Sequence, residues 1–458
     1  MAFSPTHRPA WALLLAAGVL APGAAVARPD KDNDGPTLKI SGSVRLEAEA
    51  IDGQFRPKVP ANDTLFSSRT LVMAEADLGP IRLVGELDDA RGYGERHGSS
   101  ASTSEINALE PLQGYLAVKV GNLGGTKGSG DFAIGRFTMD IGTARLVGRP
   151  DASNSPPSYL GARFDWKSKA GDRIIAFVTR PFERLPVDAD DLRDNKVQLD
   201  RESKGLTFWG ASVTKANVAG KVATEGYGYW LAEKDTPGRD TKDRHLFTFG
   251  GRVFRAASKG KLDFELEVAR QHGRTRATTA ASDVTDRTVR ATTAHVEAGM
   301  TLEASWSPRV VALADYASGD GPAATYGRFD PLFAARRADF NPTGLYGPIS
   351  RANLISAGLG LEGKPSKKLD FFVKSRLLWL AEPTDSFAST SVRDKTGASG
   401  DWAGVQIEAR VRDWIVDKKI RWEGGAAYLA KGRFLKDAPN APQTGDTTYG
   451  YTTLSFFF

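Results

Sequence analysis

A closed antiparallel transmembrane β-barrel of about 18 strands is the fold class that this sequence predicts. Three observations predict it: a polar–apolar alternation with a period of two residues, an alternation of short and long connections, and an aromatic last strand. Together they indicate one continuous sheet, whose outer face contacts lipid and whose inner face contacts water.

The alternation begins near Leu38 and recurs along most of the chain. From Leu38 to Ala50, every second position is apolar or small, and most positions between them are polar. The same pattern returns over 262–268, 294–302 and 405–411. Strands with this pattern expose one apolar and one polar face. Soluble β-sandwiches and β-helices also alternate, so the pattern alone leaves those folds open.

The lengths of the connections separate the barrel from the sandwich. Candidate strands begin near 38, 67, 80, 111, 131, 160, 171, 205, 220, 244, 260, 291, 308, 351, 367, 402, 418 and 447. Every second connection is tight, and the others are long and polar, as at 94–110, 182–204, 273–290, 318–350 and 383–401. Outer-membrane barrels have short periplasmic turns on one rim and long external loops on the other. A sandwich has no reason to sort its connections in this way.

The last strand is typical of outer-membrane barrels. Tyr449 to Phe458 alternates and ends on an aromatic residue, which resembles the signal read by the barrel insertion machinery, an expected partner. Six tryptophans fall near predicted strand ends, where aromatic girdles contact the lipid interface: Trp166, Trp230, Trp306, Trp379, Trp414 and Trp422.

The first 27 residues predict a cleaved signal peptide. Arg8 supplies the positive charge, 11–20 the apolar segment, and Ala25-Val26-Ala27 a small-x-small cleavage site. We therefore expect a signal peptide over 1–27 and a single barrel domain over 28–458. No later apolar run reaches 18 residues, which excludes a helical membrane protein.

The composition fits a barrel in the bacterial outer membrane. Hydrophobic residues make up 41% of the 458 residues, and 48 are glycine, which is poor material for a thick apolar core. The absence of cysteine excludes disulfides and thiolate sites. The net charge of +6 fits nucleic acid, an anionic membrane surface or an anionic solute, and the composition alone does not choose among them. We expect outer-membrane lipid as a partner, and no nucleic acid.

The sequence carries no pattern that indicates an enzyme. None of the five histidines has metal-ligand spacing with a partner, and there is no nucleophile elbow or P-loop. The glycine-rich stretch 121–130 precedes a predicted strand. Because a phosphate site of this kind needs a helix there, the stretch indicates a turn. We expect no enzymatic activity, no metal and no cofactor.

Arginine recurs on the polar face of the predicted strands, at Arg45, Arg82, Arg252, Arg376, Arg410 and Arg412. Acidic residues share those faces. Glu86, for example, lies four residues after Arg82 on the same face of the predicted strand, which predicts an ion pair along that strand. The alternative is a ring of guanidinium groups that selects anions, since the planar fork of arginine binds both oxygens of a carboxylate.

The longest loop, 318–350, mixes aromatic residues with Arg336, Arg337 and Asp339, and Arg351 follows it directly. Loops of this length are functional or disordered, and this one has too many aromatic residues for a solvated coil. We expect it to fold inward as a lid or constriction.

This loop resembles the alginate export family of outer-membrane barrels. The resemblance rests on Phe329 to Gly344, which reads Phe-Asp-x-Leu-Phe-x-x-Arg-Arg-x-Asp-Phe-x-Pro-Thr-Gly, and on the Tyr-Gly-Pro and Arg-x-Asn that follow. A second match runs from Ile134-Gly135-Arg136 to Gly148, with Phe137 where the family commonly has Gln. Further matches lie at Gly161 to Phe164 and Thr179 to Pro181.

The resemblance implies a barrel that passes an acidic polysaccharide or oligosaccharide through an arginine-lined interior. The residues carried over as contacts are Arg136, Arg145, Arg336, Arg337 and Arg351. With the strand arginines they give a predicted pore lining of Arg45, Arg82, Arg136, Arg145, Arg336, Arg337, Arg351, Arg376, Arg410 and Arg412. An anionic carbohydrate is the expected substrate. The alternatives are a general anion or small-solute porin, a barrel enzyme such as a lipase or protease, and a plugged adhesin or structural barrel.

Overall fold

The computed structural model describes residues 35–151, 153–335 and 339–458. The predicted signal peptide, Arg336 and Arg337 lie outside these residues. None of the helices in the described ranges is long and apolar enough to cross a membrane.

The chain forms a closed barrel of 18 long strands, as the sequence predicted. The first nine are β1 (Thr37–Asp52), β2 (Asn62–Asp77), β3 (Ile81–Tyr93), β4 (Asn107–Val120), β5 (Gly128–Phe137), β6 (Tyr159–Ser168), β7 (Arg173–Glu183), β9 (Leu206–Ala219) and β10 (Val222–Glu233). The other nine are β11 (His245–Arg255), β12 (Leu262–Thr275), β13 (Arg287–Thr301), β14 (Arg309–Ala317), β15 (Leu354–Gly363), β16 (Leu369–Trp379), β17 (Trp402–Val416), β18 (Ile420–Lys431) and β19 (Thr447–Phe457).

Three short elements lie in the long connections. The two-residue strand β8 (Arg201–Glu202) pairs with the end of β7, and the barrel continues from β7 directly to β9. The helices α1 (Ala189–Arg193) and α2 (Arg433–Asp437) lie in the β7–β9 and β18–β19 connections. All of them lie on the rim that carries the long loops.

Every barrel strand pairs antiparallel with its neighbour, and β1 pairs with both β2 and β19. Because the sheet closes on itself, no strand edge is left to expose unpaired backbone groups to hydrocarbon. The register between β1 and β19 runs from Ser43 opposite Phe457 to Asp52 opposite Thr448. The closure therefore depends on the last strand that the sequence indicated.

The connections alternate in length as predicted. The β2–β3, β9–β10 and β17–β18 connections comprise two or three residues, at 78–80, 220–221 and 417–419, whereas the β14–β15 connection runs from 318 to 353. In outer-membrane barrels the short turns face the periplasm. The rim with the short turns is therefore called the periplasmic rim below, and the opposite one the external rim.

The outer face of the barrel is apolar. In β13, Val296 and Met300 are 45% and 44% exposed, whereas His295 on the other face is 2% exposed. Aromatic residues flank this surface: Trp209 stacks on Trp230 towards the external rim, and Trp306 stacks on Phe371 towards the periplasmic rim. An apolar band between two aromatic belts is the surface that a bilayer requires.

Candidate functional site: the barrel interior

The loop 318–350 lies inside the barrel and contacts its inner wall. The backbone N–H of Leu345 donates to the carboxylate of Glu49 on β1 at 2.9 Å. The hydroxyl of Tyr346 donates to the Gln406 amide oxygen on β17 at 2.8 Å. Both loop side chains are fully buried. The loop therefore folds inward, as its aromatic content predicted.

A second inward segment, 138–158, supports the loop from one side. Backbone N–H groups of Phe333 and Ala335 donate to carbonyl oxygens of this segment at 2.9 Å each. A Cβ on Gly148 would lie 2.8 Å from the Cβ of Ala335 and 2.7 Å from that of Ala144. Only glycine therefore lets the two segments approach this closely.

Aromatic side chains fill one side of the interior. The Phe333 ring lies 4.9 Å from that of Phe208 on β9 and 5.4 Å from that of Tyr159 on β6, measured between centroids. Phe177 and Tyr229 extend the same cluster along the wall. The middle of the loop is thus anchored by aromatic packing, which contributes roughly 0.5–1.5 kcal/mol per pair beyond area burial.

A carboxylate of the loop, Asp339, is held by arginines of two other segments. It accepts from Arg145 at 2.7 Å and also pairs with Arg351. The side chains of both arginines are more than nine-tenths buried. Burial by itself would raise the pKa of Asp339, but the charges of Arg351 and Arg145 outweigh it and hold this pKa well below its ordinary value.

Asp315 on β14 forms the second centre of this ion-pair cluster. It accepts from Arg376 at 2.8 Å, its other oxygen lies 2.7 Å from Nδ1 of His295, and Arg351 lies 3.8 Å away. Arg376 also donates to the backbone carbonyl of Asp339 at 3.1 Å. The cluster therefore joins the loop to the middle of the barrel wall.

A third group of carboxylates completes the cluster on β12. Arg145 pairs with Glu265, and with Glu267 at 2.6 Å. Glu267 also accepts from the Tyr227 hydroxyl at 2.6 Å. Within the described ranges, no group of three or more acidic or histidine side chains could hold a metal ion. The arrangement binds cationic side chains.

A cavity of about 660 Å³ lies between the loop and the periplasmic rim. Eight cationic and six acidic residues line it: Arg45, Arg149, Arg309, Lys364, Lys374, Arg410, Arg412 and Arg421 against Glu47, Asp140, Asp151, Glu362, Asp370 and Glu423. The loop contributes Ala335 and Asn341 to its wall. We call this space the periplasmic cavity.

A second cavity, of about 490 Å³, lies on the external side of the same loop. It is lined by Arg239, Lys242, Arg244 and Arg328, together with Glu233, Asp240 and Asp330. Asp330 accepts from Arg244 at 2.7 Å, and this pair fixes the loop to the β10–β11 connection. The loop thus separates two polar spaces, both with more cationic than acidic residues in their walls.

The arginines that the sequence singled out fall into three groups. Arg45, Arg410 and Arg412 line the periplasmic cavity. Arg145, Arg351 and Arg376 belong to the ion-pair cluster. Three others bind carboxylates elsewhere. Arg82 pairs with Asp131, and Arg252 pairs with Glu225 at 2.7 Å and with Glu265 at 2.9 Å. Arg136 pairs with Glu110 and with Asp200 at 3.3 Å, near the external end of β5.

One predicted ion pair is wrong. Glu86 does not pair with Arg82, which contacts Glu75 at 3.5 Å and Asp131, whereas Glu86 accepts from Arg149 at 2.7 Å. Residues four apart on a strand, such as Arg82 and Glu86, are farther from each other than neighbours on adjacent strands. Arginines of the wall therefore find their carboxylates across strands and in the inward loops.

Sequence reasoning missed five of the eight cationic residues of the periplasmic cavity, namely Arg149, Arg309, Lys364, Lys374 and Arg421. Arg309 follows a turn proline and pairs with Glu297 at 2.7 Å and Glu362 at 3.1 Å, and with Asp263. Lys374 occupies the same alternate positions as Arg376 and Phe372 on β16. The alternation could have found Lys374. Arg149, which lies in an irregular inward segment, gave no signal.

This geometry defines the class of protein. A closed barrel of 18 strands leaves an aqueous interior, and here that interior is polar and divided by the chain's own loop, inside an apolar outer wall. The protein is an outer-membrane channel of the porin type. The model of the alginate export family matches residues 37–446, and the chain belongs to that family.

Solved structures agree in fold across nearly the whole chain. Pseudomonas aeruginosa OccK3 (OpdO) is 13% identical, with a TM-score of 0.56 over 92% of this chain and 95% of that chain. Acinetobacter baumannii OccAB1 is 11% identical, with a TM-score of 0.58 over 92% and 96%. Pseudomonas aeruginosa OccK2 (OpdF), in complex with glucuronate, is 11% identical, with a TM-score of 0.55 over 92% and 98%. No curated protein matches the chain.

Proposed function

We propose that this channel passes an anionic carbohydrate, an oligomer or polymer of uronic acids, through the barrel by diffusion. The observation that carries the proposal is the cationic excess in the wall of the periplasmic cavity. Rings of Arg or Lys select anions in pores, and the arginine fork matches a carboxylate in shape and charge.

Shared carboxylates support this reading of the cavity. Asp370 accepts from Arg410 at 2.8 Å and from Arg412 at 2.9 Å, so one negative charge faces two guanidinium groups. Both arginines are partly exposed to the cavity, with 20% and 33% of their side chains accessible. A uronate carboxylate can take the remaining donors without displacing Asp370. Many weak contacts of this kind bind a chain without trapping it.

The loop 318–350 is proposed as the constriction of the channel, within a barrel domain proposed to span 28–458. Its contacts reach from Glu49 on β1 and Gln406 on β17 to Phe208 on β9, on the opposite side of the barrel, and polar cavities lie on either side of it. The glucuronate that is bound in the OccK2 (OpdF) structure is a uronic acid, which supports the same class of solute here. Arg336 and Arg337, which lie outside the described residues, are proposed as further contacts of the solute.

Single-channel recordings in planar bilayers test the proposal. Uronate oligomers are expected to block the current of the wild-type channel, whereas neutral oligosaccharides of equal length are not. The double variant Arg410→Gln/Arg412→Gln is expected to weaken this block by about tenfold, which corresponds to the loss of roughly 1.4 kcal/mol of charge-assisted binding. Arg180→Gln is the matched control, since Arg180 is half-exposed near the external end of β7.

A general porin for small anions is the second candidate function. The ion-pair cluster favours it, because most guanidinium groups at that level already have carboxylate partners. If chloride passes freely and uronate oligomers never interrupt the current, the channel is a general anion porin and the carbohydrate proposal is refuted.

A further inference from the structure

The short connections of the periplasmic rim are rich in lysine. Within the described ranges they carry ten lysines, no arginine and three acidic residues, Asp172, Glu303 and Asp417. The lysines are Lys127, Lys169, Lys221, Lys259, Lys261, Lys364, Lys367, Lys368, Lys418 and Lys419. All ten are exposed. We call them the lysine ring.

The lysine ring has no acidic partners of its own. In the part of the chain that the structure describes, none of the ten forms an ion pair, whereas Lys119 and Lys215, at the ends of neighbouring strands, pair with Asp77 and Asp172. The long loops of the external rim mix both signs of charge, as in α1, where Arg193 pairs with Asp190. The positive charge of the periplasmic rim is therefore open to a partner.

The lysine ring follows the perimeter of the barrel. Its members lie in six connections, from β4–β5 at Lys127 to β17–β18 at Lys418 and Lys419. A docked protein covers one patch of such a rim, and a solute meets only its central opening. A membrane surface meets the whole perimeter at once, because the barrel wall is surrounded by lipid on every side.

The ring also lies at the depth of lipid headgroups. The lower aromatic belt, with Trp306 stacked on Phe371 and Trp422 37% exposed, marks the lipid interface on the outer wall. Lys367 and Lys368 directly precede β16, which carries Phe371, and Lys418 and Lys419 directly precede β18, which carries Trp422. A lysine ammonium is a compact, strongly hydrated charge on a flexible stem, which reaches a phosphate at the interface without a fixed geometry.

We infer that the lysine ring binds anionic phospholipid headgroups of the periplasmic leaflet and so holds the barrel at a fixed depth in the membrane. A basic residue near an anionic membrane surface is attracted to it, and this attraction falls off within a Debye length. This inference is independent of what the channel passes, because nine of the ten lysines lie outside the walls of the two cavities, and only Lys364 also lines the periplasmic cavity.

Reconstitution of the full chain tests this inference. The quadruple variant Lys261→Gln/Lys367→Gln/Lys368→Gln/Lys419→Gln removes four charges from the ring. The matched control, Lys58→Gln/Lys204→Gln/Lys234→Gln/Lys395→Gln, removes four exposed lysines from the external loops. Both are placed in nanodiscs of phosphatidylcholine with and without phosphatidylglycerol. The thermal midpoint and the phosphatidylglycerol retained on the protein in native mass spectrometry are measured.

Phosphatidylglycerol is expected to raise the thermal midpoint of the wild type and the control by several degrees, an effect reduced in high salt. The ring variant is expected to lose most of this increase and most of the retained lipid. If it keeps both, the inference is overturned. It is equally overturned if lipid retention is unchanged while capture of uronate oligomers falls, because the ring would then serve the solute. Channel block in unmodified protein reports separately on the proposed function.

Discussion

Asp339→Asn is expected to release the loop 318–350 from the barrel interior. Arg145 and Arg351 would lose the carboxylate between them while remaining buried, and breaking one partner out of a buried ion pair costs about 3–5 kcal/mol. The rest of the barrel keeps its strand pairing. The lost free energy therefore weakens the docking of the loop against the barrel wall. Single-channel conductance is expected to rise by roughly a factor of two or more as the constriction widens.

Two measurements check this prediction. Conductance is recorded in planar bilayers, and limited proteolysis from the external side reports whether the loop has become accessible. Asp283→Asn is the matched control, because Asp283 also accepts local hydrogen bonds in a loop but contacts Thr278 in place of arginine. Unchanged conductance together with unchanged protease resistance in Asp339→Asn would contradict the role assigned to this carboxylate.

The pKa of Asp339 predicts how the loop responds to acid. Because this pKa is held well below the ordinary value of 3.8, the carboxylate contributes stability above that value and loses its contribution only as the pH falls through the lower, folded-state pKa. Conductance is therefore expected to stay constant between pH 8 and pH 5, because this whole range lies roughly one pH unit or more above the ordinary pKa of an aspartate. A step in conductance within this range would show that another group controls the loop.

Leu359→Arg is expected to destabilise the barrel strongly in a bilayer. Leu359 lies in the middle of β15 and is 66% exposed on the apolar outer face, where hydrocarbon surrounds it. An arginine at the bilayer midplane of an outer-membrane barrel costs about 2–4 kcal/mol. Reversible unfolding by denaturant in lipid vesicles measures the free energy of unfolding directly.

Val187→Arg provides the control for this substitution. Val187 is 70% exposed, but it lies in the β7–β9 connection on the external rim, where water surrounds it. We expect a change within about 0.5 kcal/mol, as for other surface substitutions. Equal effects at the two positions would mean that Leu359 does not contact lipid, and the orientation of the whole sheet would have to be reversed.

The fold was predictable because it depends on two simple regularities of the sequence, the two-residue period of the strands and the alternating lengths of the connections. The period of two residues sets which face meets lipid, and the alternating connection lengths set the rim to which each turn belongs. The predicted start of β1 at 38 lies one residue from the observed start, and that of β17 at 402 coincides with it. The start of β2 differed more, since it was predicted near 67 and lies at Asn62. The first three residues of this strand, Asn62 to Thr64, are all polar and show no alternation.

The interior was predictable only in part. The alternation identified Arg45, Arg410 and Arg412, since each occupies a regular strand position. It did not identify Asp151 and Asp339 as the carboxylates that pair with Arg69 and Arg351, because both lie in irregular segments whose path depends on tertiary packing. The bulges at Leu378 and Trp414 also shift the register locally, which no single-strand pattern reveals.

The seam between β1 and β19 has a consequence for how the chain reaches its native state. Residues more than 400 positions apart, such as Ser43 and Phe457, become neighbours there. Contacts of such long range form slowly, since a very large loop of chain must be closed first. Until β1 pairs with β19, both strands would expose unpaired backbone N–H and C=O groups to any other chain. Assembly must therefore shield these two edges until the cylinder is complete, and a polypeptide truncated before residue 447 would be trapped as an aggregation-prone ribbon.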